Sequence, residues 1–558
     1  MLENRHFRYF KAEIALVLLG LAALSIGTPG LAQPASPSEA EHLVDRIFQP
    51  VSRPDAPGCA VGIEKNGHVI LTRGYGTADL EHDVPITPAT IFEAGSVSKQ
   101  FTAASVLLLA QQGKLSLTDD VRKYIPELPN YGTPITINDL LGHTSGLRDW
   151  GTVEAMAGWP RTTRVYTNDD VLDIAAAQRK LNYAPGTFYQ YINTDYNLLA
   201  FIVGRVSGQS LAAFSREHIF TPLGMTHTQW RDDFRRVVKN RAIAYEPGDH
   251  GFRQLMPFED TYGHGALLTT VGDLLRWNQA LSTGALGPYV TRELQRRTRL
   301  NDGQPIVYAR GLFVGDYRGA HMVFHDGQTA GYLTWLGRFP SSRLSIALLC
   351  NSKGIMPVQL AHSVADIFLP QPRPQPVVAL AHDQMAAREG LYIDELRGLP
   401  ARLTVAGNGL SISGGPAIPA VSRDEFRSGY DSIRFTDNDH FVATNGGSSP
   451  VTYARARPWS PSIDELPRYI GTFWSPEALV TYRVTLEGNH LVATPVGRRD
   501  AALLLTPLVS QAFEASGDNS HFVVRFVTNS AGRVTGFTMS SDAVFALAFH
   551  RIAGNRGL

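Results

Sequence analysis

Neither sign of charge dominates this chain: 51 lysine and arginine residues balance 51 aspartate and glutamate residues. The missing basic or acidic excess removes the electrostatic footprint of a nucleic-acid or membrane-surface binder, so neither partner is expected on charge grounds. Metal-ligand patterns are missing too. There is no H-E-x-x-H and no cysteine–histidine cluster at ligand spacing, so no metal is expected, and nothing calls for another cofactor. Cysteine is nearly absent, with Cys59 and Cys350 alone in 558 residues. Long apolar runs are lacking except near the N-terminus.

That one run follows Arg5, Arg8 and Lys11, spans residues 14–26, and leads to the small-residue stretch Gly30-Leu31-Ala32. It is too short for a typical membrane span of about 20 residues and fits a signal peptide, residues 1–32, cleaved after Ala32. The mature protein is therefore expected to be exported, to a bacterial periplasm or the medium. It would stay on a membrane only if the segment were left uncleaved.

What the chain does contain is three short motifs in order: Ser96-Val97-Ser98-Lys99, Tyr191-Ile192-Asn193 and His325-Asp326-Gly327. A serine hydroxyl is a poor nucleophile at neutral pH and needs a neighbouring base. At about 3.6 residues per turn, Ser96 and Lys99 share one helix face while Ser98 points away, which makes Ser96 the candidate nucleophile. Gly95, the apolar run 101–110 (FTAASVLLLA) and Gly113 predict a helix that begins at Ser96 and is buried all round. A lysine buried there is pushed toward its neutral, basic form, and a serine at the positive end of the helix favours developing negative charge.

Together these motifs resemble those of the penicillin-recognising serine hydrolases, in the branch of class C β-lactamases, D-aminopeptidases, D,D-carboxypeptidases and related esterases. The likeness runs from about Pro57 to about Asn351 and includes residues 85–92 (PITPATIF), 137–147 (INDLLGHTSGL), 184–186 (APG), 222–225 (PLGM) and 263–273 (GHGALLTTVGD). It implies an α/β catalytic domain of the serine β-lactamase/transpeptidase type, an antiparallel sheet flanked by helices, with an all-helical subdomain.

The resemblance also implies a site. Tyr191 would shuttle protons with Lys99, and which of the two deprotonates Ser96 stays open. A phenol beside two cations can lose its proton far below its usual value of about 10, so Tyr191 can act as a base. Asn193 would hydrogen-bond Lys99 and the substrate amide, or cap the helix running from Thr194 toward Val206. Strand alternation puts His325 and Gly327 on one face and Asp326 on the other. Gly327 would let substrate backbone lie close, and the amides of Ser96 and Gln328 would form the oxyanion hole.

His-Asp-Gly departs from the Lys-Thr-Gly of the β-lactamases. A histidine is mostly neutral near pH 7 and would not attract the carboxylate of a penicillin as a lysine does. The resemblance then favours a D-aminopeptidase-like enzyme acting on a small D-amino acid amide or short peptide. A carboxylesterase or weak β-lactamase is the alternative within the family, and a ligand-binding or sensing protein with little turnover the alternative outside enzymes. Two further patterns carry less. His143-Thr-Ser-Gly146 has the wrong spacing for a nucleophile elbow and is read as a structural turn. His264, between two glycines, is read as structural before it is read as a pocket residue.

A chain of this length is too long for one compact domain. The catalytic part is placed at residues 40–368, followed by a stiff linker at 369–376 (LPQPRPQP). Beyond it, 402–410 (RLTVAGNGL) matches 483–491 (RVTLEGNHL), and 437–442 (DNDHFV) matches 518–523 (DNSHFV), both at an offset of 81. Gly-Asn pairs between alternating strands predict two duplicated antiparallel β-barrels, at 377–457 and 468–558, joined by a second linker at 458–467. This layout resembles that of the D-aminopeptidases, and a barrel loop is expected to limit the site to short substrates. Family topology would put the Cys59 and Cys350 strands in one sheet. A disulfide is then open to an exported protein, but such cross-strand bridges are demanding and free thiols pack well, which favours free cysteines.

Overall fold

The computed structural model describes residues 37–161, 163–370, 377–444, 446–517 and 520–552. The signal segment and most of the proline-rich linker lie outside these residues. Among the described residues no single helix is long and apolar enough to cross a membrane.

Six antiparallel strands form the central sheet, in the order Phe313–Tyr317, Ala320–Thr329, Tyr332–Phe339, Leu344–Cys350, Cys59–Lys65 and His68–Tyr75. Leu344–Cys350 is buried along its whole length and Cys59–Lys65 along all but its last residue, so both read as continuous apolar runs. One face joins the largest apolar core, shared with the helices Lys99–Gln111, Asn193–Ser207 and Val271–Thr283. On the other, Val61, Ile63, Ile346 and Leu348 pack against the helices Pro37–Phe48 and Pro357–Phe368.

Cys59 stands opposite Cys350 in the pairing of their strands, and the two form a disulfide with Cα atoms 4.1 Å apart. This corrects the expectation of free thiols. Two buried strands were legible, but the register that sets these two residues face to face depends on how the strands pair.

The C-terminal region forms two eight-stranded antiparallel barrels, as expected. The first runs from Gly390–Asp394 to Val451–Arg455 and is nearly closed, its end strands linked by an Ala420–Phe426 bridge; the second, from Gly471–Ser475 to Leu547–Ile552, is closed. The duplication shows in matching hairpins. Ala406 faces Gly409 and Glu487 faces His490 across two-residue turns, whose glycines, Gly407 and Gly488, have φ of 56° and 62°. Such tight turns require positive φ, which glycine adopts without strain. In both barrels the last strand pairs with the first, Val451–Arg455 with Gly390–Asp394 and Leu547–Ile552 with Gly471–Ser475. The stretch read as a second linker is also more than a spacer, because its Leu466 is buried in the core of the second barrel.

Candidate active site

The short strand Phe92–Glu93 delivers the chain to Gly95, where φ is +51° and an added Cβ would lie 2.7 Å from the Gln328 nitrogen. A larger residue would break the turn that follows. Gly95–Ser98 is a 3-10 turn and the α-helix starts only at Lys99. Ser96 therefore precedes the helix expected to begin at it. The tight turn still stacks residues three apart, and Lys99 Nζ lies 3.1 Å from Ser96 Oγ.

Lys99 is fully buried, and its Nζ reaches two further oxygens: Asn193 Oδ1 at 3.0 Å and the His264 carbonyl at 2.8 Å. No carboxylate bonds to it. Desolvation pushes its pKa well below the usual lysine value, against a weaker pull from Asp149. A neutral amine carries two N–H groups and one lone pair. The two carbonyl oxygens accept the N–H groups, which leaves the lone pair for the Ser96 hydroxyl.

The Tyr191 ring lies over this amine, its centroid 4.7 Å from Nζ. Its hydroxyl is buried without a hydrogen-bond partner of normal geometry, although nearby Ser96 favours its ionised form. Burial prevails and holds the phenol well above its ordinary value of 10. This corrects the expectation of a readily formed phenolate. That expectation needed two neighbouring cations, and here burial disfavours the charged form of both the lysine and the histidine.

Asn193 is the first residue of its helix and does not cap it; Ile192 holds the cap position. The Asn193 side chain turns to Lys99, and its backbone N–H donates to Asp149 Oδ2 at 2.8 Å. His325, Asp326 and Gly327 alternate buried, exposed, buried, as the strand pattern predicts. The His325 ring is 1% exposed and lies among Tyr191, Tyr308 and Phe313 at centroid distances of 5.0–6.0 Å. Its Nδ1 faces the Asp326 carbonyl and its Nε2 the Tyr308 hydroxyl, so Nδ1 carries the proton. Burial lowers its pKa to about 3. It stands behind Tyr191 as a neutral support.

A Cβ on Gly327 would lie 2.1 Å from the Ala94 carbonyl and 3.1 Å from the Ser96 nitrogen. The nucleophile turn itself, then, demands glycine at a position read as making room for substrate. This contact brings the Gln328 backbone against Gly95, beside Ser96. Gln328 also lines a cavity of about 380 Å³ with Arg161, Arg164, Phe258, Glu259 and Lys353. Among the described residues no barrel residue lines that cavity, so the expected barrel loop over the site is not found there.

His143 and Ser145 do not form a second centre. Both bond Asp195, at 3.1 and 2.7 Å, so the carboxylate sits between them and the histidine does not reach the serine. His143 instead supports Tyr191, ring centroids 4.5 Å apart. Two contributors went unread in the sequence. His264 acts through its carbonyl, for which the flanking glycines are the only signal. Asp149, which holds Asn193 and caps the helix Trp150–Met156, lies 44 residues from its partner with no motif joining them.

The family model described as Beta-lactamase matches residues 44–366, more than half of the chain. The D-aminopeptidase of Gluconobacter oxydans (strain 621H) is 28% identical over 360 residues, which cover 64% of this chain and 66% of that protein. Protein flp of Staphylococcus aureus (strain N315) is 30% identical over 329 residues, 56% and 64% of the two chains. The chain thus spans just under two thirds of the length of these relatives. Among solved structures, the octameric penicillin-binding protein homologue from Pyrococcus abyssi matches with a TM-score of 0.54 and 24% identity, over 75% of this chain and 100% of that one. That likeness speaks for the fold alone. With a serine–lysine pair seated in this fold and the family match spanning both residues, the chain belongs to the β-lactamase family.

Proposed function

We propose that this protein is an exported hydrolase that forms an acyl-enzyme on Ser96 and cleaves small D-amino acid amides or short peptides. The observation that carries the acyl-enzyme is the fully buried Lys99, its two N–H groups taken by carbonyls and its lone pair left to the serine. Ser96 Oγ attacks the substrate carbonyl and gives its proton to Lys99. The amides of Ser96 and Gln328 receive the oxyanion. Tyr191, neutral in the resting enzyme, donates its proton to the leaving group as the intermediate collapses. That leaves a phenolate beside a lysinium, the pairing that stabilises both. Water then gives a proton to Tyr191 and attacks the acyl carbon, and Lys99 returns its proton to Ser96 Oγ, which restores the starting state.

The substrate class rests on charge and likeness. A neutral, buried His325 offers no cation to the carboxylate of a penicillin. The cations lining the cavity beside Gln328 already have acidic neighbours: Arg161 pairs with Glu259, Arg164 with Asp170 at 3.2 Å, and Lys353 lies 3.9 Å from Glu246. A D-aminopeptidase among the relatives supports the same choice. Export rests on the segment 1–32. The test is initial rates on D-alanine p-nitroanilide and p-nitrophenyl acetate, with Ser96→Ala as the blank. Ser96-dependent cleavage of the anilide is expected; cleavage of the ester alone would move the assignment to a carboxylesterase.

A further inference from the structure

Besides an apolar contact of Val153, Met156 and Ala157 with its core, the second barrel reaches the catalytic domain through two loops. In the first, the Glu477 side chain is 5% exposed and that of Arg148 2%, with Oε1 and Nη1 2.6 Å apart. The same carboxylate accepts the Arg179 N–H at 2.7 Å, and the Glu477 carbonyl accepts from Gln178 Nε2 at 3.1 Å. In the second, the Phe545 carbonyl accepts from Arg148 Nη2 at 3.2 Å and its N–H donates to Asn182 Oδ1 at 2.8 Å. Arg148 is gripped by both loops. Burying such a pair is costly in desolvation and adds little to simple attachment, which apolar contacts provide more readily.

What Arg148 and its neighbours hold is the catalytic centre. The Arg148 carbonyl accepts from Thr194 Oγ1 at 2.8 Å, next to Asn193. Asp149 donates its N–H to the barrel's Ala543 carbonyl at 3.4 Å and accepts the Asn193 N–H at 2.8 Å, and Asn193 in turn accepts from Lys99. The Tyr191 side is held as well. Phe188, three residues before Tyr191, packs with Phe545 of the second barrel and Val451 of the first. Ser449 of the first barrel accepts the Tyr189 N–H at 2.9 Å.

We propose that the second barrel is a positioning element of the active site: Glu477 and Phe545, by fixing Arg148 and the segment leading to Tyr191, set Asn193 and Tyr191 around Lys99 and Ser96. This rests on the serine-hydrolase mechanism above and adds a role for a domain that does not touch the reacting atoms. Displacements of about 1 Å from changes far from the chemistry can cost about 100-fold in rate.

The test uses the full mature chain with Glu477→Gln and Phe545→Ala, and Arg402→Ala as a control. Arg402 pairs with Glu514 between the two barrels, away from Arg148. Three quantities are read below each variant's melting temperature: kcat, KM, and the rate at which a fluorophosphonate probe labels Ser96. The expected result is a fall of about 10–100-fold in kcat and in labelling for both loop variants, with KM within about threefold and the control unchanged. Asn182→Ala, a milder change that removes the bonds to the Phe545 N–H and the Ala543 carbonyl of the second barrel, reads the same role should either loop variant fail to fold. Folded variants with wild-type kcat and labelling would overturn the proposal, as would a rise in KM alone, which would make the barrel a gate on access. An unlabelled wild type would sink the hydrolase mechanism along with it, whereas a labelled wild type matched by its variants sinks this inference only.

Discussion

Lys99 and Arg231 are both buried basic side chains beside the turn that carries Ser96, and their surroundings send them opposite ways. Lys99, three residues after Ser96, bonds only to uncharged oxygens: a serine hydroxyl, an asparagine amide and a backbone carbonyl. Arg231, 2% exposed, meets the carboxylate of Glu93, three residues before Ser96, in a two-pronged contact at 2.7 and 3.2 Å. Burial works to lower both pKa values. In Lys99 it wins, and the pKa is driven well below the ordinary lysine value. In Arg231 the charge and hydrogen bonds of Glu93, with the charges of Glu259 and Asp260, together outweigh it, and the guanidinium is held charged above its ordinary value. Burial alone does not decide whether a cation becomes a base or a brace. The partner does, through whether it supplies a full negative charge.

Exchanging these roles is the way to test the contrast. The largest effect is expected from Lys99→Arg, which puts a permanent positive charge there and cannot release a proton. Ser96-dependent kcat/KM should fall by about 10²–10⁴-fold on the chromogenic substrate that the wild type cleaves. Retention of more than a tenth of the activity would mean that charge, not basicity, is what Lys99 supplies. Next is Glu93→Gln, which leaves Arg231 buried without its anion and takes from Arg241 the carboxylate 3.6 Å away. Urea denaturation should show a loss of about 3–5 kcal/mol, as for other broken buried pairs. A loss within that of ordinary surface changes would contradict the bracing role.

Asn193→Asp runs the exchange the other way by giving Lys99 a carboxylate. The acidic limb of the rate profile should then move to higher pH by about 1–3 units, since an adjacent anion favours the protonated amine. An unmoved limb would show that Lys99 does not control it. The smallest effect is on stability. Below about pH 10.4 an unfolded chain protonates Lys99, whereas the folded chain does so only below its own lowered pKa. The unfolded state therefore binds more protons in that window, and wild-type stability should rise with pH relative to Lys99→Met. Parallel stability curves for the two proteins would leave no room for a depressed pKa.

The same contrast explains what could be read from the sequence. Ser96 and Lys99 were legible because both sit on one local turn, where spacing of three residues decides the contact whether the turn is α or 3-10. His325 and Gly327 were legible as one strand face because alternation is local too. The sheet and barrels followed from resemblance and from an internal repeat, whose Gly-Asn turns fall where the structure turns. What was not legible is partnership across the chain. Glu93 and Arg231 are 138 residues apart, and neither belongs to a motif. The His264 carbonyl belongs to a backbone, which carries no residue signature. The disulfide depended on strand register, and the neutrality of Tyr191 on how deeply its hydroxyl is buried and on whether its neighbours are charged. Both are products of the assembled core.

The central claim is that Lys99 is already neutral in the resting enzyme at neutral pH, and the pH dependence of Ser96 labelling by an uncharged fluorophosphonate tests it most directly. The predicted result is a rate that is level through neutral pH and falls only on the acid side. A rate that climbs continuously toward the ordinary lysine value of about 10.4 would mean that Lys99 is charged at rest, and would contradict the account.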